Sequence, residues 1–168
     1  MFEAGDLVVY GSNGPCRVEA VGPMPGADGL YYTIRPMFSD CVIRTPVSTK
    51  VPMRPVLSRE EALALIDAIP EMTAEVYHSR SAALLAEHYS ESLRTQRCAD
   101  LVELTMSIYR KKKQAEEEKR KFGQVDERFM KRGEELLFGE LSVALEIPPD
   151  SVQAFIEERL SENARKDG

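Results

Sequence analysis

Residues 2–14 read Phe2-Glu3-Ala4-Gly5-Asp6-Leu7-Val8-Val9-Tyr10-Gly11-Ser12-Asn13-Gly14, a short apolar run followed by an Asn-Gly pair. β-Branched and aromatic residues favour strands, and Asn-Gly is typical of a tight turn between them. Similar runs follow at residues 16–21, 30–35 and 41–47. Residues 1–56 also hold six of the ten glycines and seven of the ten prolines. This pattern predicts a small antiparallel β-barrel of four or five strands.

After Pro55 the spacing of apolar residues changes from two to three or four, which is the period of a helix. Ser58 and Glu61 form a predicted capping box, and Pro148-Pro149 separates the last two helices. We expect helices over residues 58–70, 71–93, 97–118, 124–146 and 150–163. The sequence therefore predicts two domains, a β-barrel over residues 1–56 and an all-α domain over residues 57–168.

Two of the predicted helices carry apolar stripes at helical spacing. The first consists of Leu101, Leu104 and Ile108, and the second of Val125, Phe129, Gly133, Leu136, Leu137, Leu141, Ala144 and Leu145. Such stripes indicate the core of the helical domain. Glycine at position 133 lies within its stripe, which predicts that another helix approaches closely there.

The first six residues lack the basic start and apolar stretch of a signal peptide, and no run of about 18 apolar residues follows. We therefore expect a cytoplasmic protein without a membrane partner. The three cysteines, Cys16, Cys41 and Cys98, form no Cys-x-x-Cys pair. They are predicted to be reduced and buried, because unpaired cysteine usually behaves as a small apolar residue.

The net charge of −6 is unfavourable for nucleic-acid binding, but the charge is unevenly distributed. Residues 94–121 hold nine Lys and Arg against five Asp and Glu, and they include the run Arg110-Lys111-Lys112-Lys113. Four consecutive cations on a helix cannot all find internal partners. Together with Arg94 and Arg97, this run is a candidate phosphate-binding patch, and a solvated helix face is the alternative.

The sequence offers few groups for catalysis. Its two histidines, His78 and His88, are expected on one helix about 15 Å apart, too far to share a metal ion. No nucleophile elbow, phosphate loop or metalloprotease motif is present. The acidic run at residues 116–118, followed by cations at 119–121, fits an exposed helix end with i,i+4 pairs. We expect a protein that is not an enzyme and that binds no metal or cofactor.

The opening residues 2–14, followed by Arg17-Val18-Glu19-Ala20-Val21, resemble the start of the CarD/CdnL family of transcription regulators. The same barrel occurs in the polymerase-interacting domain of transcription-repair coupling factors. The similarity continues through residues 31–34, 42–47 and 51–55, and into the helices at 101–113, 126–128 and 134–145. It covers nearly the whole chain.

The resemblance implies a Tudor-like or SH3-like barrel that binds the β subunit of RNA polymerase, and a helical domain that contacts promoter DNA. Such proteins stabilise the open promoter complex. Arg44 matches a basic position that family members use at the polymerase contact, in a strand with Val42, Ile43, Thr45 and Pro46. An exposed edge strand can pair with a partner sheet, and Arg44 can then bind a carboxylate. A monomer is expected.

This chain also departs from the family pattern. Many members carry a tryptophan in the helical domain that wedges against the minor groove, whereas this sequence has none. Tyr77 or His78 lies near that position, and a tyrosine ring can still act as a wedge. The turn at residues 22–25 lacks a second contact arginine. Two alternatives are a polymerase-binding adaptor whose helical domain recruits another protein, and an enzyme that uses scattered Glu and His residues.

Overall fold

A computed structural model describes residues 1–167 of the chain. The chain divides into two compact units, the first spanning Met1–Leu57 and the second beginning at Ser58. The division falls next to the boundary expected after residue 56. We refer to these parts as the sheet unit and the helical unit.

The sheet unit contains five antiparallel strands. They are β1 Leu7–Tyr10, β2 Pro15–Pro23, β3 Leu30–Pro36, β4 Ile43–Pro46 and β5 Met53–Pro55. Their order in the sheet is β4-β3-β2-β1-β5. The sheet is open, because β4 and β5 are its two edges rather than hydrogen-bonded neighbours. A β-sheet followed by helices is thus confirmed, and closure of the sheet into a barrel is not observed.

One face of the sheet forms the core of this unit. The strand register places Val8 beside Cys16 and Val18 beside Ile34, and all four side chains are fully buried. Side chains alternate between the two faces along each strand, as at the exposed Arg17 between the buried Cys16 and Val18. Burial also raises the pKa of the Cys16 thiol to about 11, so this thiol stays protonated at neutral pH.

Between Ser58 and Asp167 the helical unit contains five α-helices. They are α1 Arg59–Ala68, α2 Ala82–Arg94, α3 Cys98–Glu117, α4 Gln124–Leu145 and α5 Pro149–Asp167. The capping box before α1 is present, since Glu61 N donates to Ser58 Oγ and Ser58 N donates to Glu61 Oε1. Pro149 begins α5, where its missing N–H costs no helical hydrogen bond.

The expectation of one helix over residues 71–93 is wrong. Residues 72–80 form no helix, and α2 begins only after Ser81, whose side chain caps it. Three side chains of α3 donate to backbone carbonyls of this segment: Ser107 Oγ to Glu75 O at 2.6 Å, Arg110 to Ala74 O at 2.8 Å, and Lys111 Nζ to Tyr77 O at 3.0 Å. These bonds satisfy carbonyls that a helix would otherwise satisfy internally.

The predicted stripes of α3 and α4 lie in the core, where Leu104, Ile108 and Phe129 pack in one buried cluster. Gly133 is buried as well, and a Cβ atom built on it would lie 3.0 Å from Thr105 Cγ2 of α3. The predicted close approach of a second helix at Gly133 is therefore confirmed.

The cysteines differ from the expectation in one respect. Cys16 and Cys98 are buried, but Cys41 is exposed, because it lies in the turn between β3 and β4. Cys98 Sγ lies 3.0 Å from Oε1 of the buried Glu140. Within residues 1–167, none of the helices combines the length and apolarity needed to cross a membrane.

Candidate partner-binding surfaces

Strand β4 is an edge of the sheet. It is hydrogen-bonded to β3 on one side, with Arg44 opposite Thr33 and Ile43 opposite Ile34. The outer side of an edge strand presents backbone donors and acceptors that a strand from another chain can pair with. Pro46, the last residue of β4, has no N–H, so it cannot donate to such a strand.

The side chains of residues 42–46 divide between the two sides of the sheet. Ile43 packs against the core, and the buried Thr45 accepts a hydrogen bond from the Tyr10 hydroxyl at 3.1 Å. Val42, Arg44 and Pro46 are exposed. Of the five residues predicted to contact polymerase, these three offer side chains to a partner. Ile43 and Thr45 belong to the core and offer mainly backbone.

Arg44 is an exposed charged residue of the edge strand. Within residues 1–167, its guanidinium forms no hydrogen bond or ion pair. Arg35, on the neighbouring strand, is held instead by Glu19 at 2.6 Å. The Arg44 side chain is therefore available for an anionic partner.

Exposed apolar residues flank this edge and were not predicted from the sequence. Phe38 is 56% exposed and Val42 is 42% exposed, in the turn that leads into β4. Leu30 is 46% exposed, and its carbonyl accepts a hydrogen bond from Val47 N, just beyond the other end of β4. Large apolar residues in turns, as at Phe38, are the signal that could have identified them.

The basic run of the helical unit does not form one solvent-facing patch. Lys111 Nζ lies 3.0 Å from Asp126 Oδ1, and the two side chains are only 14% and 6% exposed. The Tyr89 hydroxyl donates to the same carboxylate oxygen at 2.5 Å. Burial, and then the hydrogen bond to Asp126, raise the pKa of that hydroxyl. Lys111 thus stabilises a buried carboxylate and is not available to bind a phosphate, contrary to the expectation from the sequence.

The other members of the run are more accessible. Arg110 is exposed, although its guanidinium donates to Ala74 O. Lys112 is half-buried with its ammonium 5.9 Å from the centre of the Phe122 ring, and the exposed Lys113 lies 5.2 Å from that of Tyr109. Such cation–π contacts leave part of the ammonium open to water or to a phosphate.

Arg94 and Arg97 are separated from this run. Arg94 ends α2, and Arg97 directly precedes α3 and forms an ion pair with Asp100 at 3.1 Å. From Arg97 to the cations at residues 110–113, a continuous helix rises by about 20 Å. The single patch expected from the sequence is therefore divided between the two ends of α3.

Tyr77 takes part in an internal stack. Its ring lies parallel to that of His88, with 3.7 Å between the ring centres, and it is half-buried. The expectation that His78 and His88 share one helix is wrong, because His78 precedes α2 while His88 lies within it. Tyr77 would have to leave this stack before it could wedge into DNA.

A basic cleft of about 520 Å³ lies beside this segment and was not predicted. Arg80 and Lys121 line it, and within the described part of the chain neither cation has a hydrogen-bonding or ion-pair partner. Leu84, in the first turn of α2, is 56% exposed. The expectation that residues 119–121 belong to an exposed helix end with i,i+4 pairs is wrong. Instead α3 ends at Glu117, and Arg120 pairs with Glu118.

No group of three or more His, Cys, Asp or Glu side chains within residues 1–167 could hold a metal ion. The two candidate binding surfaces described above are the β4 edge and the basic cleft. No protein-family model matches the chain, and no curated protein matches it either.

Proposed function

We propose that this chain is a non-catalytic transcription regulator that binds the β subunit of RNA polymerase and promoter DNA in the cytoplasm. The sheet unit would be a Tudor-like or SH3-like module and the helical unit the DNA-contacting domain, as the resemblance to the CarD/CdnL family implies. The observation that carries the proposal is the exposed edge strand β4 with its unpaired Arg44.

At the polymerase surface, the partner strand adds its backbone hydrogen bonds to β4, and Arg44 binds a carboxylate of the partner. A hydrogen bond to a charged group contributes about 1.5–3 kcal/mol, which corresponds to roughly 10- to 100-fold in affinity. Leu30, Phe38 and Val42 add apolar area at both ends of the strand. These contacts require no deep pocket.

At the DNA surface, Arg80 and Lys121 in the basic cleft join Arg110, Lys112 and Lys113 as candidate phosphate contacts. Leu84 is an exposed apolar side chain that could press on an unstacked base step, since leucine serves as a wedge in minor-groove proteins. A protein that binds the open promoter more tightly than the closed one shifts the equilibrium by its difference in affinity.

The proposal is tested by measuring binding of the full chain to the isolated polymerase β subunit. We expect Arg44→Glu to weaken binding at least about tenfold, because the reversed charge repels the partner's carboxylate. Lys131→Glu is the matched control, since Lys131 is an exposed cation of the helical unit. Equal affinities of wild type and Arg44→Glu would remove the assignment of this edge.

The burial of Lys111 favours a second candidate function, an adaptor that binds polymerase without contacting DNA. The salt dependence of DNA affinity distinguishes the DNA-binding regulator from the adaptor. Each phosphate contact releases counterions, so binding through such contacts weakens as the salt concentration rises. Full-chain affinity for a promoter duplex should fall steeply between 50 and 200 mM salt, by about tenfold or more for several contacts. Arg80→Glu/Lys121→Glu should flatten that slope. Absence of duplex binding even at 50 mM salt would favour the adaptor.

A further inference from the structure

The helical unit has an apolar groove that the proposed function does not use. It has a volume of about 300 Å³ and lies between α1, α3, α4 and α5. We call it the Tyr109 groove, and its sides are formed mainly by Leu65, Ile69, Met106, Tyr109, Phe138 and Ile156. Ile66 and Leu141 are fully buried beneath it, so its base is part of the core. Tyr109 is 50% exposed at its side.

One carboxylate lies within this apolar lining. Glu134 of α4 is half-buried, and it forms no hydrogen bond or ion pair with any residue in 1–167. Burial raises the pKa of the Glu134 carboxyl, and only the Lys112 ammonium opposes that rise. A partly desolvated carboxylate without a partner is unfavourable, so a cation brought to it from outside gains more than one at an exposed site.

We propose that the Tyr109 groove is the docking site of a partner's amphipathic helix, which inserts apolar side chains and places a Lys or Arg against Glu134. Three features support this occupant. A cavity of about 150 Å³ can hold one benzene ring, so about 300 Å³ can take two large apolar side chains. Grooves between helices commonly receive the apolar face of another helix. The carboxylate selects a cation.

The charge of the segment that contains α4 and α5, two of the helices lining the groove, agrees with a basic partner. Residues 122–168 hold six Lys and Arg against eleven Asp and Glu, a net charge of −5. At the edge of the groove, Glu157 of α5 adds a further carboxylate. The Tyr109 groove and the basic cleft share no lining residue, so they are distinct surfaces, although the Lys112 ammonium acts on Glu134 and Lys113 lies 5.2 Å from the Tyr109 ring. The proposal therefore does not depend on polymerase or DNA binding.

Two fluorescently labelled synthetic helices serve as probes for the full chain. Both carry leucines at i, i+3, i+4 and i+7, and one is flanked by lysines where the other has glutamates. We expect saturable binding of the lysine helix, measured by fluorescence anisotropy, and at least about tenfold weaker binding of the glutamate helix. Absence of binding by the lysine helix, or equal binding of the two, would overturn the proposal.

Two variants locate the binding. Glu134→Gln should reduce the preference for the lysine helix severalfold, whereas Glu127→Gln, at an exposed position of α4, should leave it unchanged. Tyr109→Ala should weaken both helices, and it should not unfold the chain because the ring is half exposed. Circular dichroism of each variant checks the fold. A preference that survives Glu134→Gln, or binding unaffected by Tyr109→Ala, would place the probes elsewhere and refute the site.

Discussion

Strand β4 and helix α3 were both expected to present charge to a partner, but only β4 does so in the way its sequence suggests. In a strand, neighbouring side chains point to opposite faces, so a charge between two core residues must point outward. Arg44 lies between Ile43 and Thr45 and is exposed. In a helix, four consecutive residues cover all sides, so one cation of residues 110–113 points inward. Lys111 is that cation.

The two residues differ in how much of the structure is needed to predict the direction of the side chain. Two strand neighbours are enough to fix the direction of Arg44, whereas the direction of Lys111 depends on where α4 and residues 72–80 lie. A cation that points inward is tolerated only if a carboxylate meets it. Asp126 does so, and this makes Lys111 a structural residue rather than a binding one.

The largest effect we expect is a loss of stability on replacing Lys111, which would test the difference between Lys111 and Arg44. Lys111→Ala leaves Asp126 buried without its cation, and we expect the free energy of unfolding to fall by about 3–5 kcal/mol. Lys113→Ala, two positions along the same run, should change it by less than about 0.5 kcal/mol. Urea unfolding monitored by circular dichroism measures both. Equal losses for the two variants would contradict the structural role of Lys111.

Several features of the fold were predictable because their signals are local. The capping box at Ser58 involves residues three apart, and Gly133 interrupts an apolar stripe within a single helix. By contrast, residues 72–80 are held by hydrogen bonds from Ser107, Arg110 and Lys111, about thirty residues away in sequence. No local pattern indicates such partners, which is why the sequence predicts a helix where the structure has none.

The candidate surfaces also differ in whether the local sequence predicts them. The exposure of Arg44 follows from strand alternation, but the basic cleft requires knowing that α3 ends at Glu117. Lys119 has a positive φ of 55°, which turns the chain away from the helix and brings the following cations towards Arg80. The Tyr109 groove combines side chains of four helices. Its existence depends on packing between segments that are distant in sequence.

A smaller effect is expected at Thr45, whose side chain points into the core from β4. Thr45→Val keeps the shape of the side chain but leaves the buried Tyr10 hydroxyl without its acceptor. We expect a loss of about 1–3 kcal/mol in the free energy of unfolding, the cost of an unsatisfied buried polar group. Arg44→Glu, at the adjacent outward position, should leave stability within about 0.5 kcal/mol of wild type. Thermal or urea unfolding measures the stability of both variants. If the charge reversal destabilised the fold as much as Thr45→Val, the two positions would not differ in role.

The smallest effect concerns an exposed contact between α1 and α5, where Arg159 Nε lies 2.7 Å from Asp67 Oδ1. The Arg159 guanidinium holds the pKa of the Asp67 carboxyl below its ordinary value of 3.8. A carboxyl whose pKa is lowered by folding adds stability above its unfolded pKa and loses it as pH falls through the folded one. Because both groups are solvent-accessible, the pair is worth at most about 1 kcal/mol.

Asp67→Asn should therefore be less stable than wild type by at most about 1 kcal/mol above roughly pH 5, and the difference should shrink as the pH falls below that range. Urea midpoints at neutral and acidic pH, each at low and high salt, measure it, because screening should also reduce the difference. A gap that persisted when the carboxyl is protonated would mean that the hydrogen bonds of Asp67, including the one from Asn163 at 2.8 Å, matter more than its charge. The exposed pair would then stabilise the fold mainly by hydrogen bonding, whereas Lys111 stabilises the buried Asp126 mainly by its charge.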